Sequence, residues 1–165
     1  MNEAAFGTDY FTRTAVAKSN IFVNSPKETK YFYQDLDKDG LHLNGSRQYS
    51  VTFAKEQTPP VYGFWSLTLY NEHHFFAPNE INRYSVGTKD KDLKTNSDES
   101  VTIYVQADPP PKAQRTNWLP APNDADFTLY CSAYWPKAAV IDGSRMQPPV
   151  ERQKKVKSTH YIHIF

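Results

Sequence analysis

A period of two in the order of apolar and polar residues recurs along the chain and constrains its fold more than any other feature. Residues 49–53 (Tyr-Ser-Val-Thr-Phe) alternate strictly, as a strand with one solvated face does. Residues 101–105 and 127–134 alternate in the same way. Residues 64–70 are partly apolar on both sides, which predicts a central strand that is covered on both faces. The chain is therefore predicted to be mostly β, built around residues 64–122.

Short turn motifs separate these runs. They are Asp37-Lys38-Asp39-Gly40, Asn44-Gly45, Pro59-Pro60, Ser97-Asp98, Pro109-Pro110-Pro111 and Asp142-Gly143. Several short strands with such punctuation are typical of antiparallel sandwiches and jelly rolls. Since no internal repeat and no pattern of helical crossovers is found, a parallel sheet is not expected. We predict an antiparallel β-sandwich of jelly-roll type.

The N-terminal part of the sequence carries two signals for short helices. Thr8 or Asp9 can cap a helix over residues 10–18, which contain no Pro or Gly. Ser25-Pro26-Lys27-Glu28 has the pattern of a capping box and predicts at most a turn or two. The expected organisation is a helical segment at 1–30 that packs on the sandwich, a β-domain at 31–152 and a basic tail at 153–165.

Length and charge exclude several classes of protein. A chain of 165 residues fits one domain, and its net charge of +1 gives no indication of nucleic-acid or anionic-membrane binding. The longest apolar run is about one strand long, so no membrane span is expected, and the polar residues 1–8 do not resemble a signal peptide. Cys131 is the single cysteine, so no intrachain disulfide can form. We predict a soluble single domain and make no prediction of its compartment.

One ordered set of motifs, taken together, resembles the domain of unknown function 1214. The set consists of the residues Phe64-Trp65-Ser66-Leu67-Thr68-Leu69-Tyr70, Asn82-Arg83-Tyr84-Ser85, Leu93-Lys94, Val101-Thr102-Ile103-Tyr104-Val105-Gln106 and Asn117-Trp118-Leu119-Pro120-Ala121-Pro122. The resemblance covers nearly all of residues 9–152, but not the tail. It implies a jelly-roll sandwich and a place after a second domain, the domain of unknown function 1254. On the basis of this resemblance, the chain is expected to be a stand-alone version or a C-terminal fragment.

A possible cation site lies in the turn at residues 35–40. Asp35, Asp37, Asp39 and Gly40 give the D-x-D-x-D-G beginning of a calcium loop. An EF-hand needs a Glu at loop position 12, where Ser46 stands, and the flanking residues favour strands. The alternative is a polar hairpin turn. We predict no metal and no cofactor, with Asp35, Asp37 and Asp39 as the calcium candidate.

Other metal-ligating or nucleophilic residue types lack partners at a suitable spacing. His73 and His74 are adjacent and face opposite sides of a strand, whereas His160 and His163 lie in the tail. Cys131 lies in the middle of an apolar run and is expected to behave as a small buried hydrophobe.

Two stretches could hold a ligand. In the first, Arg83 offers a fork for a carboxylate, Tyr84 a hydroxyl and a ring, and Asn82 both a donor and an acceptor. The alternative is structural, with Arg83 paired to an acid such as Asp90 or Asp92 and Tyr84 in the core.

The second stretch is residues 117–122. Two prolines stiffen it, and Trp118 offers a large flat surface for a sugar or another flat ligand. Alternatively, Trp118 plugs one end of the sandwich and the prolines end strand pairing.

Three hypotheses about function follow. The first and favoured one is a non-catalytic or accessory module that binds a small molecule or glycan, or packs on a partner domain. The second is a hydrolase, isomerase or lyase in which Arg83 orients an anionic substrate, Tyr84 acts as acid or base and Asn117 polarises a carbonyl. The third is a structural C-terminal half of a two-domain protein. Its exposed aromatic residues would then form an interface with a partner domain or with another copy of the chain.

Overall fold

The computed structural model describes residues 8–19 and 24–153. Helix α1 spans Tyr10–Ser19 and begins at Asp9, whose carboxylate accepts hydrogen bonds from the backbone N–H and the hydroxyl of Thr12 at 3.1 and 2.6 Å. The predicted helix and its cap are confirmed. At the second signal, Ser25 N–H donates to the Glu28 carboxylate at 3.1 Å, and the chain makes one turn before the first strand. The predicted structure of residues 154–165 lies outside the described residues.

Eight strands form two four-stranded sheets in the described part of the chain. The first sheet has the order β1-β7-β3-β4 and the second β6-β5-β2-β8. The strands are β1 (Thr29–Gln34), β2 (Tyr49–Phe53), β3 (Trp65–Asn71), β4 (Ser85–Gly87), β5 (Val101–Gln106), β6 (Trp118–Pro120), β7 (Phe127–Tyr134) and β8 (Val150–Arg152). The mostly β prediction is confirmed, and β3 lies between β7 and β4, as a central strand should.

The second sheet corrects the expectation that every strand pair is antiparallel. Strand β6 pairs with β5 in parallel, with Tyr104 opposite Trp118. A parallel neighbour requires a crossover between the two strands. Here the crossover contains a 3₁₀ helix at Lys112–Asn117, which was not predicted because it is short and has no amphipathic repeat. A second short helix, α2, spans Ala138–Ile141.

Side chains from both sheets share one hydrophobic core. The rings of Tyr49 and Phe127 lie 5.8 Å apart between centroids, and those of Phe53 and Trp65 lie 5.0 Å apart, so both contacts join a strand of one sheet to a strand of the other. Alternation explains which side chains are inside, because successive residues of a strand point to opposite faces. In β3, Trp65, Leu67 and Leu69 are buried, whereas the residues between them are only half-buried.

The opposite face of the first sheet is polar and aromatic. In β7, Tyr130 and Tyr134 are half-buried, whereas Cys131 between them is fully buried. Burial raises the pKa of the Cys131 thiol to about 12, so it stays protonated at neutral pH, as expected for a small core residue. The register places Thr68 opposite both Tyr130 and Ser85. Rows of hydroxyl groups therefore cross this face. Within the described residues, no helix has the length and apolar character needed to cross a membrane.

Candidate functional site

A groove of about 550 Å³ lies on the polar face of the first sheet. Its lining residues come from β3, β4, the end of β7, the connection between β3 and β4 and the turn after β4. They are Ser66, Thr68, Tyr70, Phe76, Ile81, Asn82, Arg83, Tyr84, Ser85, Asp90 and Tyr134. The hydroxyl groups of Ser66, Thr68 and Ser85 come from neighbouring strands and line it between the aromatic residues. Its volume lies in the range of sites for small ligands.

A stack of three rings lines part of the groove. Tyr70 and Phe76 stack at 5.3 Å and 16°, and Phe76 and Tyr84 stack at 5.0 Å and 25°. The turn that returns Phe76 to Tyr70 is held by the Asn71 side chain, which accepts hydrogen bonds from the N–H groups of His73 and Phe75, both at 3.0 Å. The stack is therefore fixed by backbone structure as well as by ring contacts.

Tyr134 adds a second aromatic surface to the groove. Its ring stacks on Phe64 at 4.2 Å, and the ammonium group of Lys89 lies 3.6 Å from the Phe64 ring centroid. Burial raises the pKa values of the Tyr70, Tyr130 and Tyr134 phenols, and neighbouring tyrosines add to the effect at Tyr70 and Tyr134. At neutral pH these phenols are protonated, so each hydroxyl can both donate and accept a hydrogen bond.

Arg83 lines the groove and is tied to the second sheet. Its Nη1 donates to the carbonyl oxygens of Arg115, Thr116 and Trp118 at 3.0, 3.1 and 3.1 Å. The expected alternative partner, Asp90, instead accepts a hydrogen bond from Gly87 N–H at 2.7 Å. Arg83 therefore holds the end of the 3₁₀ helix against the connection between β3 and β4.

The structure brings Asn82 and Tyr84 to the same groove as Arg83. The Tyr84 hydroxyl donates to Asn82 Oδ1 at 3.3 Å, and Asn82 has a left-handed backbone with φ 50°. Tyr84 does not fill the core, because its ring stacks on Phe76 on the outer face.

Asn117 is not brought together with these residues. It is 4 % exposed, and its amide is fully engaged with backbone groups. Oδ1 accepts from Lys94 N–H at 2.9 Å, and Nδ2 donates to the carbonyls of Lys94 and Thr102 at 2.7 and 2.9 Å. The amide therefore ties the end of the 3₁₀ helix to β5 and to the connection that precedes β5, and its donors are not available to polarise a bound carbonyl.

Trp118 is also buried, at 7 % exposure, and its indole N–H donates to the Gln106 carbonyl at 2.9 Å. It lines a different cavity, of about 290 Å³, together with Pro120 and Pro122. The two predicted stretches thus contribute to two separate cavities. The burial of Trp118 and its position in a strand that ends at Pro120 agree with the structural alternative, while its place in the cavity leaves the ligand prediction untested.

The sequence interpretation missed Ser66, Thr68, Tyr70, Phe76 and Tyr134 as groove residues. The alternation in residues 64–70 and 127–134 did place four of them on polar faces. It could not show that these two faces join, because that depends on the pairing of β3 with β7.

The calcium candidate forms a hairpin turn. Asp37 Oδ1 accepts hydrogen bonds from the N–H groups of Asp39 and Leu41, both at 3.0 Å, and Oδ2 accepts from Arg152 Nη2 at 2.6 Å. Asp39 is exposed, and Asp35 is half-buried. Within residues 8–19 and 24–153, no group of three or more His, Cys, Asp or Glu side chains is arranged to hold a metal ion.

Solved structures that are similar to the chain include proteins from two organisms. The VPA0106 protein from Vibrio parahaemolyticus matches with a TM-score of 0.72 and 29% sequence identity over 84% of this chain and 34% of that protein. The chain thus spans about a third of that relative. An uncharacterised protein from Burkholderia cenocepacia matches with a TM-score of 0.41 and 14% identity over 88% of this chain and 40% of that one.

No curated protein matches the chain. Residues 28–138, more than half of the chain, match a family of proteins of unknown function. That match contains the groove, the 3₁₀ helix, and all five ligand-binding candidates. The chain therefore belongs to the family described as "Protein of unknown function (DUF1214)".

Proposed function

We propose that the chain is a binding module whose outer groove takes a small hydroxylated ring ligand such as a sugar. The observation that carries this proposal is the ring stack of Tyr70, Phe76 and Tyr84 in the same groove as the hydroxyls of Ser66 and Thr68. Aromatic faces pack against the apolar face of a ring ligand, and hydroxyl groups that both donate and accept suit its polar edge.

The Tyr70 and Tyr134 phenols are better suited to binding a ligand than to acid–base catalysis. An acid or base works best when its pKa lies near the operating pH. The phenols of Tyr70 and Tyr134 are shifted the other way, because burial and neighbouring tyrosines raise pKa values that are already high. These groups are suited to hydrogen bonding with a ligand.

We expect saccharides to bind in the groove, and Tyr84→Ala to weaken the binding about fivefold, since loss of one stacking ring is worth about 1 kcal/mol. Methyl glucoside, methyl galactoside and cellotriose are titrated into the ¹⁵N-labelled protein, and amide shifts in β3 and β4 are followed. Tyr84→Phe keeps the ring and is expected to retain binding.

Tyr62→Ala is the matched control, since Tyr62 is an exposed tyrosine that contacts Trp135 and does not line the groove. The proposal fails if no saccharide shifts the groove amides. It also fails if Tyr62→Ala, and not Tyr84→Ala, abolishes binding.

We also propose that the two sheets form a sandwich of jelly-roll type over residues 31–152. The predicted helical segment 1–30 lies partly outside the described residues, and its last two residues begin strand β1. The ring contacts between β2 and strands β3 and β7 support a face-to-face arrangement.

A second candidate role is that of a structural part of a longer protein. It is favoured by the VPA0106 protein, of which the chain covers 34%, and by the exposed rings of Tyr62, Phe75 and Trp135.

A further inference from the structure

Arg83 is held in a fixed position at the groove. The Asn79 side chain makes two hydrogen bonds to the backbone of Arg83. Its Oδ1 accepts from Arg83 N–H at 3.0 Å, and its Nδ2 donates to the Arg83 carbonyl at 2.9 Å. At the other end of the side chain, Nη1 is directed at three carbonyl oxygens of residues 115–118. Both the backbone and the guanidinium are therefore positioned before any ligand arrives, which lowers the entropic cost of binding.

The charge of Arg83 is not neutralised by these contacts. Carbonyl oxygens are dipoles without a net charge, and within the described ranges 8–19 and 24–153 Arg83 forms no ion pair. Its Nε and Nη2 groups donate to no atom of those residues. A guanidinium presents Nε and Nη2 along one edge as a planar fork that matches the two oxygens of a carboxylate.

The charged residues that line the groove allow one negative group on the ligand, next to Arg83, and disfavour a second. Arg83 is the one basic residue among the described residues that line the groove. Lys89 lies over the Phe64 ring and does not line it. Asp90 also lines the groove, and its carboxylate would repel a second anionic group while accepting hydrogen bonds from ligand hydroxyls.

We propose that the ligand of this groove is a hydroxylated six-membered ring that carries a carboxylate, and that the carboxylate binds the Nε–Nη2 edge of Arg83. The ring lies against the stack at Tyr84, and its hydroxyls meet the hydroxyl groups of β3. This inference rests on the proposed function and names the class of ligand. The same chemistry occurs in sugar acids and in hydroxylated aromatic acids, so the experiment includes both.

Two matched pairs of probes test the carboxylate on the unaltered protein. Glucuronate is compared with glucuronamide, and 4-hydroxybenzoate with 4-hydroxybenzamide, by calorimetric titration and by the amide shifts of β3 and β4. Each acid is expected to bind about tenfold or more tightly than its amide, as a charge-assisted pair of hydrogen bonds predicts. The tighter of the two acids identifies the source as a sugar acid or an aromatic acid.

The role of Arg83 is tested with Arg83→Gln, which removes the charge and the fork. In this variant the acid and the amide are expected to bind within about twofold of each other, because the charge-assisted contact is gone. Arg145→Gln is the matched control, since Arg145 Nη2 donates to the Glu56 carbonyl at 2.7 Å and Arg145 does not line the groove. It is expected to leave the preference for the acid unchanged.

Equal binding of acids and amides to the unaltered protein, still weakened by Tyr84→Ala, would overturn this inference and leave the proposed function standing. If neither the four probes nor the saccharides bind, both the inference and the proposed function are overturned. If Arg83→Gln does not fold, the acid–amide comparison on the unaltered protein still decides the question.

Discussion

Asp37→Ala is expected to destabilise the fold by about 3 kcal/mol, the lower end of the range for breaking a buried ion pair by removing one partner, because the other partner is partly exposed. The Asp37 side chain is completely buried, whereas the Arg152 side chain is 28 % exposed and would be left without its charged partner. The N–H groups of Asp39 and Leu41 would lose their acceptor as well. The free energy of unfolding in urea at pH 7 measures the effect.

Asp39→Ala is the matched control. It removes an exposed carboxylate from the same turn and is expected to change stability by no more than about 0.5 kcal/mol. Equal stability of the Asp37→Ala and Asp39→Ala variants would contradict the described role of Asp37. So would a melting temperature of the unaltered protein that rises with calcium and loses this response in Asp37→Ala, because the turn would then be a cation site.

The Asp37 carboxylate is also expected to make the stability of the fold depend on pH. Burial acts to raise the pKa of Asp37, but the hydrogen bonds from Leu41, Asp39 and Arg152 outweigh it, and the pKa is lowered below the ordinary 3.8. A depressed folded-state pKa stabilises the protein above the unfolded value, and this stabilisation is lost as the pH falls through the folded value. The stability difference between the unaltered protein and Asp37→Asn is therefore expected to narrow below about pH 4, and a difference that widens there would contradict the pairing.

Local sequence pattern predicted the longer strands because their alternation follows from burial of one face. Residues 49–53 and 127–134 are strands β2 and β7 with the predicted bounds. Strands β4, β6 and β8 have three residues each, too few for a period to show, and they exist because they pair with β3, β5 and β2. Tertiary pairing thus places parts of both candidate stretches, for which the sequence predicts no strand, in short edge strands.

The site was only partly predictable for a related reason. Residue types identified Arg83 and Tyr84 as ligand-binding candidates, and the structure places both in one groove. Nothing local shows that the Arg83 guanidinium meets carbonyls of residues 115, 116 and 118. Such a contact depends on how the two sheets are placed relative to each other.

Local sequence also does not predict which of the tryptophans are buried. The sequence predicts Trp118 as a flat binding surface, yet Trp118 is buried, whereas Trp135 is 63 % exposed. Trp135 follows Tyr134, so continued alternation would have turned it inward. Its left-handed backbone, with φ 52°, ends the alternation at this residue and leaves the ring in solvent.

Asn117→Ala is expected to destabilise the fold by about 3 kcal/mol, since each buried polar group left without a partner costs about 1–3 kcal/mol. The substitution removes the partners of Lys94 N–H and of the carbonyls of Lys94 and Thr102. Asn117→Asp is expected to lower the stability further at neutral pH. Its buried carboxylate would face the two carbonyl oxygens that receive hydrogen bonds from Nδ2 in the unaltered protein. Urea unfolding at pH 7 measures both.

Asn123→Ala is the control for these variants, since Asn123 is exposed and lies outside this network. Its change in stability is expected to stay within about 0.5 kcal/mol. An unfolding free energy of Asn117→Ala equal to that of the unaltered protein would mean that the amide is not held by the backbone. Its amide donors would then be free to polarise a carbonyl, as the enzyme hypothesis requires. A large loss of stability would instead show that Asn117 is needed for the fold, which leaves ligand binding to Arg83 and Tyr84.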